Sequence, residues 1–421
     1  MLQANSIPTI NRLERGQEQI GKQPLKQRFI WAFLIYIVLG RSLAFLQVDS
    51  GNSVRSGEHT WTTWAIEHFS KLAAAPQVVL LGSSLMLTPI NLADAQVLDR
   101  TLDGSQHHES AYFSKLMENL TGRHVQTFNF ALPGEMPSDA FLITKLLLKG
   151  DKKPELIVYG VGPRDFMDNL LASPTSTDPY HYLAKLDDNA LGETRVNGSW
   201  DERLDGFLGK INYPYGKREE ITECVSLFLD KLTEGLLPES IRSRQITNQQ
   251  LHTMLPLYHP MSIAVGECLF SPLTKQTSSV FKDNVDEYKR RYGTLKWQMF
   301  LSQLKYLADC LEIARKQGTD VVIVSMPITK VNRSLIPSLA WNAYKRSLRV
   351  VATSKGARFV DLDESKEFSD ADFGDTVHLN TVGGIKLIQL IVADILQQNH
   401  LTMNGQALKQ TSSRINAGVD L

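Results

Sequence analysis

Short runs of apolar, β-prone residues punctuate the chain at 77–81 (QVVLL), 125–130 (VQTFNF), 156–161 (LIVYGV), 321–326 (VVIVSM) and 358–362 (RFVDL), with helical spacing in much of what lies between. Within 295–316, Trp297, Phe300, Leu304, Leu307 and Leu311 recur at intervals of three and four ahead of Gln317-Gly318, and 340–355 repeats the arrangement ahead of Gly356. Such spacing places apolar side chains on one helical face, and a glycine just past it ends the helix. Strands alternating with helices predict βαβ units, a mainly parallel sheet and an α/β fold of three layers, α/β/α. The rhythm fails over 168–294, which is rich in Pro, Asn, Asp and Ser. A structureless loop of that length is uncommon in a compact domain, so the segment predicts an insertion or cap subdomain, mainly helical. One helix stands out there, because Ile221, Cys224, Val225, Phe228, Leu229 and Leu232 follow helical spacing ahead of Pro238.

The longest apolar stretch is 29–48, FIWAFLIYIVLGRSLAFLQV, with Arg41 its only charge. About twenty apolar residues cross a bilayer, so this predicts a transmembrane anchor; its uninterrupted part, 29–40, also suits a buried helix or the core of a signal peptide. Arg12, Arg15, Lys22, Lys26 and Arg28 outweigh Glu14 and Glu18 before it, which favours a cytoplasmic N-terminus. The expected organisation is a cytoplasmic tail (1–28), an anchor (29–48), an α/β domain in two parts (76–167 and 295–400) around the insertion (168–294), and a flexible C-terminal tail (401–421). The expected location is the inner or plasma membrane, single-pass, with the C-terminal domain exported.

Composition narrows the classes further. The 421 residues are 43% apolar, which excludes general disorder, and 45 Lys+Arg balance 45 Asp+Glu. With no basic stripe, nucleic acid is not an expected partner. Cys224, Cys268 and Cys310 are too few and too scattered for a disulfide framework or a zinc site. His107-His108, and His252 with His259, lack metal-ligand spacing. No metal or redox cofactor is expected.

Four pieces stand where the expected strands end, which is where open α/β sheets bind ligands. Gly82-Ser83-Ser84-Leu85 follows the first strand, and Ser84 is the candidate nucleophile at the start of a helix. Asn129 to Gly134 follows the second, and Gly162-Pro163-Arg164-Asp165 the third. Asp375-Thr376-Val377-His378-Leu379-Asn380 lies near the C-terminus, ahead of Gly383-Gly384 and an apolar helix expected at 385–396. A carboxylate three residues before a histidine is able to hold one ring nitrogen, leaving the other to take a proton from a serine. A backbone N–H group at Gly134, with a side chain from the loop Gly162 to Asp165, would serve a developing oxyanion. Each piece alone is a common turn or helix cap.

Together and in this order the pieces resemble the blocks of the SGNH (GDSL-type) hydrolase superfamily over about 76–166 and 296–398. Gly82-Ser83-Ser84-Leu85 is similar to its first block, with Ser83 in place of the Asp; Gly134 matches the second-block glycine, Gly162 to Asp165 the G-x-N-D block, and Asp375 to His378 the last. The resemblance implies a catalytic Ser84, Asp375 and His378, an oxyanion site at Ser84, Gly134 and Arg164, and candidate substrate-binding residues Ser83, Asp165 and Asn380. One departure matters: Arg164 stands where the family has its oxyanion Asn.

Within that superfamily the chain is most similar to membrane-anchored bacterial envelope proteins of the D-alanyl-lipoteichoic acid transfer and alginate O-acetylation types. This implies a serine acyl esterase or O-acyltransferase acting on an envelope glycopolymer, with a membrane acyltransferase as a candidate partner. Arg164 and the insertion motivate an alternative, a noncatalytic scaffold that binds glycan or a partner acyltransferase; a soluble esterase with 29–48 in its core is a third reading.

Overall fold

The computed structural model describes residues 59–184, 186, 265–276, 281–363 and 365–397, with helical residues at 30–36, 38 and 42. The chain divides into two units, residues 54–203 with 246–421 and residues 1–53 with 204–245. The α/β domain lies in the first of these.

Its centre is a five-stranded sheet built from β1 (Val78–Gly82), β3 (Thr127–Asn129), β4 (Leu156–Val161), β6 (Asp320–Ser325) and β7 (Arg358–Asp361). The order across the sheet is β3-β1-β4-β6-β7, and every pairing is parallel. All residues of β1 and β4 are buried, as expected of central strands covered on both faces. Helices Ser84–Val97, Ala111–Thr121 and Thr381–Gln397 pack together as one layer, and Pro137–Leu146, Trp297–Gln317 and Ser338–Ser354 as the other. The three-layer α/β/α expectation thus matches this unit. Numbering the five strands along the chain gives the order 2-1-3-4-5, which reverses direction between β1 and β4 and opens a crevice at their carboxyl ends.

Strand and helix limits fall within two residues of the expected ones, except at the last helix, which begins at Thr381 and not at 385. Asn380 explains the difference, since its Oδ1 accepts the N–H groups of Val382 (3.0 Å) and Gly383 (3.1 Å) and starts the helix early. Gly383 and Gly384 are therefore helical. A Cβ on Gly384 would stand 2.4 Å from the Pro89 carbonyl oxygen, and one on Gly383 2.3 Å from that of Asp372. The small size of Gly384 lets this helix press against Ser84–Val97, and that of Gly383 makes room for the Asp372 backbone.

The described ends of the insertion contain helices Asp178–Ala184 and Val285–Tyr292. A small antiparallel pair that the pattern does not suggest joins β2 (Leu102–Asp103) to β5 (Leu269–Phe270). The helix expected around 221–232 and Cys224 lie outside the described residues, as do His252, His259 and most of 29–48. Within 29–48, the helical Ile30, Trp31, Phe33, Leu34, Ile35, Tyr36 and Val38 are exposed. Among the described residues no helix is long and apolar enough to cross a membrane.

Candidate active site

The crevice between β1 and β4 collects the chemistry. Gly82 ends β1 with φ +145°, where a Cβ would lie 2.5 Å from the Gly160 carbonyl oxygen. Only glycine tolerates that conformation and that approach. Ser83 is the extended N-cap, and Ser84 is the first residue of the Ser84–Val97 helix. At that position its N–H has no intrahelical acceptor and adds to the positive end of the helix. Ser84 is half-buried, with its hydroxyl facing the loop after β7.

That loop brings the other two residues. Ser84 Oγ lies 2.8 Å from His378 Nε2, and His378 Nδ1 lies 2.6 Å from Asp375 Oδ2. Asp375 Oδ1 accepts the N–H groups of Val377 (2.8 Å) and His378 (2.7 Å), which folds the D-x-x-H segment back on itself. Burial works to raise the Asp375 carboxyl, but the His378 ring and these two N–H groups outweigh it and hold the carboxyl below its ordinary value. An ionised Asp375 holds the proton on Nδ1, leaving Nε2 to accept from the Ser84 hydroxyl. The three expected residues, from opposite ends of the chain, form one hydrogen-bonded line.

Gly134 arrives through the turn after β3. Phe130 N–H donates to the Leu80 carbonyl (2.8 Å) and Leu132 N–H to that of Gly82 (2.9 Å), so the turn runs on along the end of β1. Gly134 has φ +80°, and a Cβ there would meet Arg164 Nη2 at 3.3 Å. The guanidinium thus stands beside Gly134. Arg164 Nη1 lies 3.3 Å from Asp165 Oδ1 and its Nε 3.3 Å from Asp168 Oδ2, while Nη2 has no hydrogen-bond partner among the described residues. Asp168 is shared with Arg291, which also pairs with Glu287 at 2.7 Å.

The three candidate substrate-binding side chains have protein partners. Ser83 is buried and its hydroxyl lies 3.4 Å from Asp165 Oδ2. Asp165 is also buried, with Oδ2 accepting Gly162 N–H at 2.8 Å. Asn380 caps its helix, and its Nδ2 donates to the Ala371 carbonyl at 2.8 Å. Ser83 and Asp165 thus lie buried against each other, and the Asn380 side chain is committed to its helix and to the Ala371 carbonyl.

Two buried acids near the site, Glu135 and Asp139, carry no signal in the sequence. Glu135 and Asp139 are buried close to Asp165; Glu135 Oε2 accepts Leu132 N–H at 3.2 Å, and its other carboxylate oxygen has no partner among the described residues. Burial pushes all three carboxyls up: Asp139 to about 7, Asp165 to about 6, where Arg164 partly opposes it, and Glu135 well above its ordinary range. Thr329 and Asn332 hold Thr376 through contacts of 2.8 Å and 3.0 Å. Arg333 lies over the Trp341 ring at 3.9 Å. His107 contacts buried Asp94 at 2.7 Å, and His108 sits between the Ser105 and Asn129 carbonyls, with burial pushing its ring down to about 4.

Fold and site define a doubly wound α/β protein with a Ser–His–Asp line at its topological switch point. No protein-family model matches the chain, and no curated protein matches it either. Solved structures that resemble it include a protein described as a candidate acylhydrolase from Bacteroides fragilis NCTC 9343. It is 11% identical, with a TM-score of 0.33, over 83% of this chain and 100% of its own. Axe2, an acetylxylan esterase from Geobacillus stearothermophilus seen as a catalytic mutant, is 10% identical, with a TM-score of 0.32, over 79% of this chain and 97% of its own.

Proposed function

We propose that the chain is an SGNH-type serine enzyme that cleaves or transfers acyl esters. The observation that carries this reading is the line Ser84 Oγ to His378 Nε2 to Asp375, at 2.8 Å and 2.6 Å, in the crevice of the sheet. Ser84 attacks the ester carbonyl while His378 Nε2 takes the hydroxyl proton; Asp375 holds the ring and steadies the imidazolium that forms. The negative charge that develops on the carbonyl oxygen is met by the Ser84 and Gly134 N–H groups and Arg164 Nη2. The tetrahedral centre collapses to an acyl-Ser84 as the leaving oxygen takes the proton from His378. Water or an acceptor hydroxyl then gives its proton to His378 as it attacks the acyl group, and the second tetrahedral centre collapses as His378 returns that proton to the departing Ser84 Oγ.

The acyl donor or acceptor on this reading is a cell-envelope glycopolymer, and the 29–48 segment anchors the enzyme beside it. The motif resemblance, the length and apolarity of that segment and the exposed apolar residues within 30–38 support this part. The scaffold alternative rests on Arg164 standing in place of an Asn. Its uncommitted Nη2 beside Gly134 favours catalysis, because a donor stands where the acyl chemistry needs one.

Treating the full-length chain with a serine-reactive phosphonate tests the reading. Labelling is expected in the wild type and lost in both Ser84→Ala and His378→Ala. A folded wild-type protein that takes no label would overturn the serine mechanism and favour the scaffold.

A further inference from the structure

The stretch at 281–292 touches both halves of the catalytic centre. At its start, Lys282 N–H donates to the Gly374 carbonyl at 2.9 Å, beside Asp375. Asn284 Oδ1 then accepts the Thr376 N–H at 3.2 Å and the Thr376 hydroxyl. Thr376 lies between Asp375 and the two residues whose N–H groups hold the Asp375 carboxylate. At the other end, Arg291 Nη1 pairs with Asp168 Oδ2, the oxygen that also holds Arg164 Nε, and the Arg291 carbonyl accepts Asn169 N–H at 2.9 Å. Between them, Tyr288 and Tyr292 are buried and root the helix in the domain.

Local rules are broken where this happens. Asn284 is the N-cap of Val285–Tyr292, yet its side chain makes no capping bond and is given to Thr376. An asparagine at that position normally bonds its own helix, a contribution surrendered here. Conflicts between local preference and observed contacts concentrate at functional sites. Asp168 is buried and receives two guanidinium groups on Oδ2 while Oδ1 accepts Leu170 N–H at 2.9 Å, so removing Arg291 leaves Arg164 as the one guanidinium on Oδ2 among the described residues.

Resting on the serine-enzyme reading, we propose that 281–292 is a strap that sets both halves of the centre: Asn284 positions the Asp375–His378 loop through Thr376, and Arg291 positions the Arg164 guanidinium through Asp168. Neither residue touches the reacting atoms; both are positioning residues.

The test uses the full chain with Asn284→Ala, Arg291→Met, Arg164→Met and the Arg164→Met/Arg291→Met double variant. Readouts are kcat and KM on p-nitrophenyl acetate, the low-field NMR signal of the His378 Nδ1 proton, and thermal unfolding. Asn284→Ala is expected to lower kcat about tenfold or more with KM within about threefold, and to shift or broaden the low-field signal. Arg291→Met is expected to lower kcat about tenfold while leaving that signal in place, and to add little once Arg164 is already Met. Asn284→Asp, which keeps the acceptor oxygen, is expected to keep the signal and most of the rate, and Asn284→Leu, which removes that oxygen while filling the space, replaces Asn284→Ala should that variant not fold. A folded Asn284→Ala with wild-type kcat and an unmoved signal overturns the strap, as does a folded Arg291→Met with wild-type kcat or one whose effect multiplies in full onto Arg164→Met. A wild type with neither turnover nor phosphonate labelling instead sinks the serine-enzyme reading. The NMR comparison still decides Asn284, because it needs no turnover.

Discussion

The guanidinium of Arg164 presents three nitrogens, and the fold commits two of them, Nη1 to Asp165 and Nε to Asp168. Around it two cations, Arg164 and Arg291, face three carboxylates, Asp165, Asp168 and Glu287. That balance removes the attraction a free arginine would offer an anionic substrate, while the uncommitted Nη2 stays beside Gly134. The arrangement suits an oxyanion role, since a group pinned at two atoms costs little reorganisation when charge develops at the third. Arg164→Ala is therefore expected to lower kcat by about 10²–10³, with KM changed by less than about threefold. Steady-state kinetics on an aryl acetate check this; a rise in KM with kcat intact would assign Arg164 to ground-state binding. Arg164→Lys is expected to fall with Arg164→Ala, because one ammonium lacks the planar fork that spans two carboxylates and a third site. The sequence shows Arg164 only as a departure from G-x-N-D. Its partner Asp168 is four residues on, but Arg291 is 127 residues away and nothing in the local pattern connects them.

At the scale of elements, the catalytic line depends on how closely the Thr381–Gln397 helix approaches Ser84–Val97, since one carries the loop of His378 and the other begins with Ser84. Gly384 sets that approach: a Cβ there would lie 2.4 Å from the Pro89 carbonyl oxygen, a backbone atom that does not move aside alone. Gly384→Ala is expected to destabilise by about 1–3 kcal/mol and to lower the rate of phosphonate labelling as the two elements part. Unfolding midpoint and labelling rate together check it, and an unchanged pair would mean that the helices separate without disturbing the line. Strands and long helices are legible because the apolar spacing of 295–316 and 340–355 and the β-rich runs report burial directly. The last helix begins four residues before its apolar run because Asn380 caps it there and Gly383 and Gly384, which the apolar spacing leaves outside, are helical. Only the neighbouring helix shows why they belong inside it. Residues 281–292 give no such signal: the segment is short and mostly charged, and its importance lies in what Asn284 and Arg291 reach.

For the whole molecule, the three acids beneath the site set how stability responds to pH. Burial raises Asp139 to about 7, Asp165 to about 6 and Glu135 well above its ordinary range, whereas the unfolded chain loses these protons near pH 4. The native state therefore holds more protons across that interval, and stability is greatest below it and declines as pH rises from about 4 through 7. Asp375 acts oppositely: its lowered carboxyl contributes stability above the ordinary carboxylate range, lost as pH falls below it. Unfolding midpoints are expected to decline from about pH 5 to about pH 7, and Glu135→Gln, which resembles the protonated acid, to flatten that decline. A variant as steep as the wild type would remove Glu135 from the account. What the sequence determined by itself is what repeats or stays local: strands, helix faces, the 29–48 apolar run, and the motif positions Ser84, Gly134, Arg164, Asp375 and His378. Only tertiary structure decided that Ser84 and His378, 294 residues apart, stand 2.8 Å from each other. It alone gave Ser83, Asp165 and Asn380 their partners within the protein and tied Asn284 and Arg291 to the centre. Periodicity records whether a side chain is buried; hydrogen bonds between distant segments depend on where the sheet order places their ends.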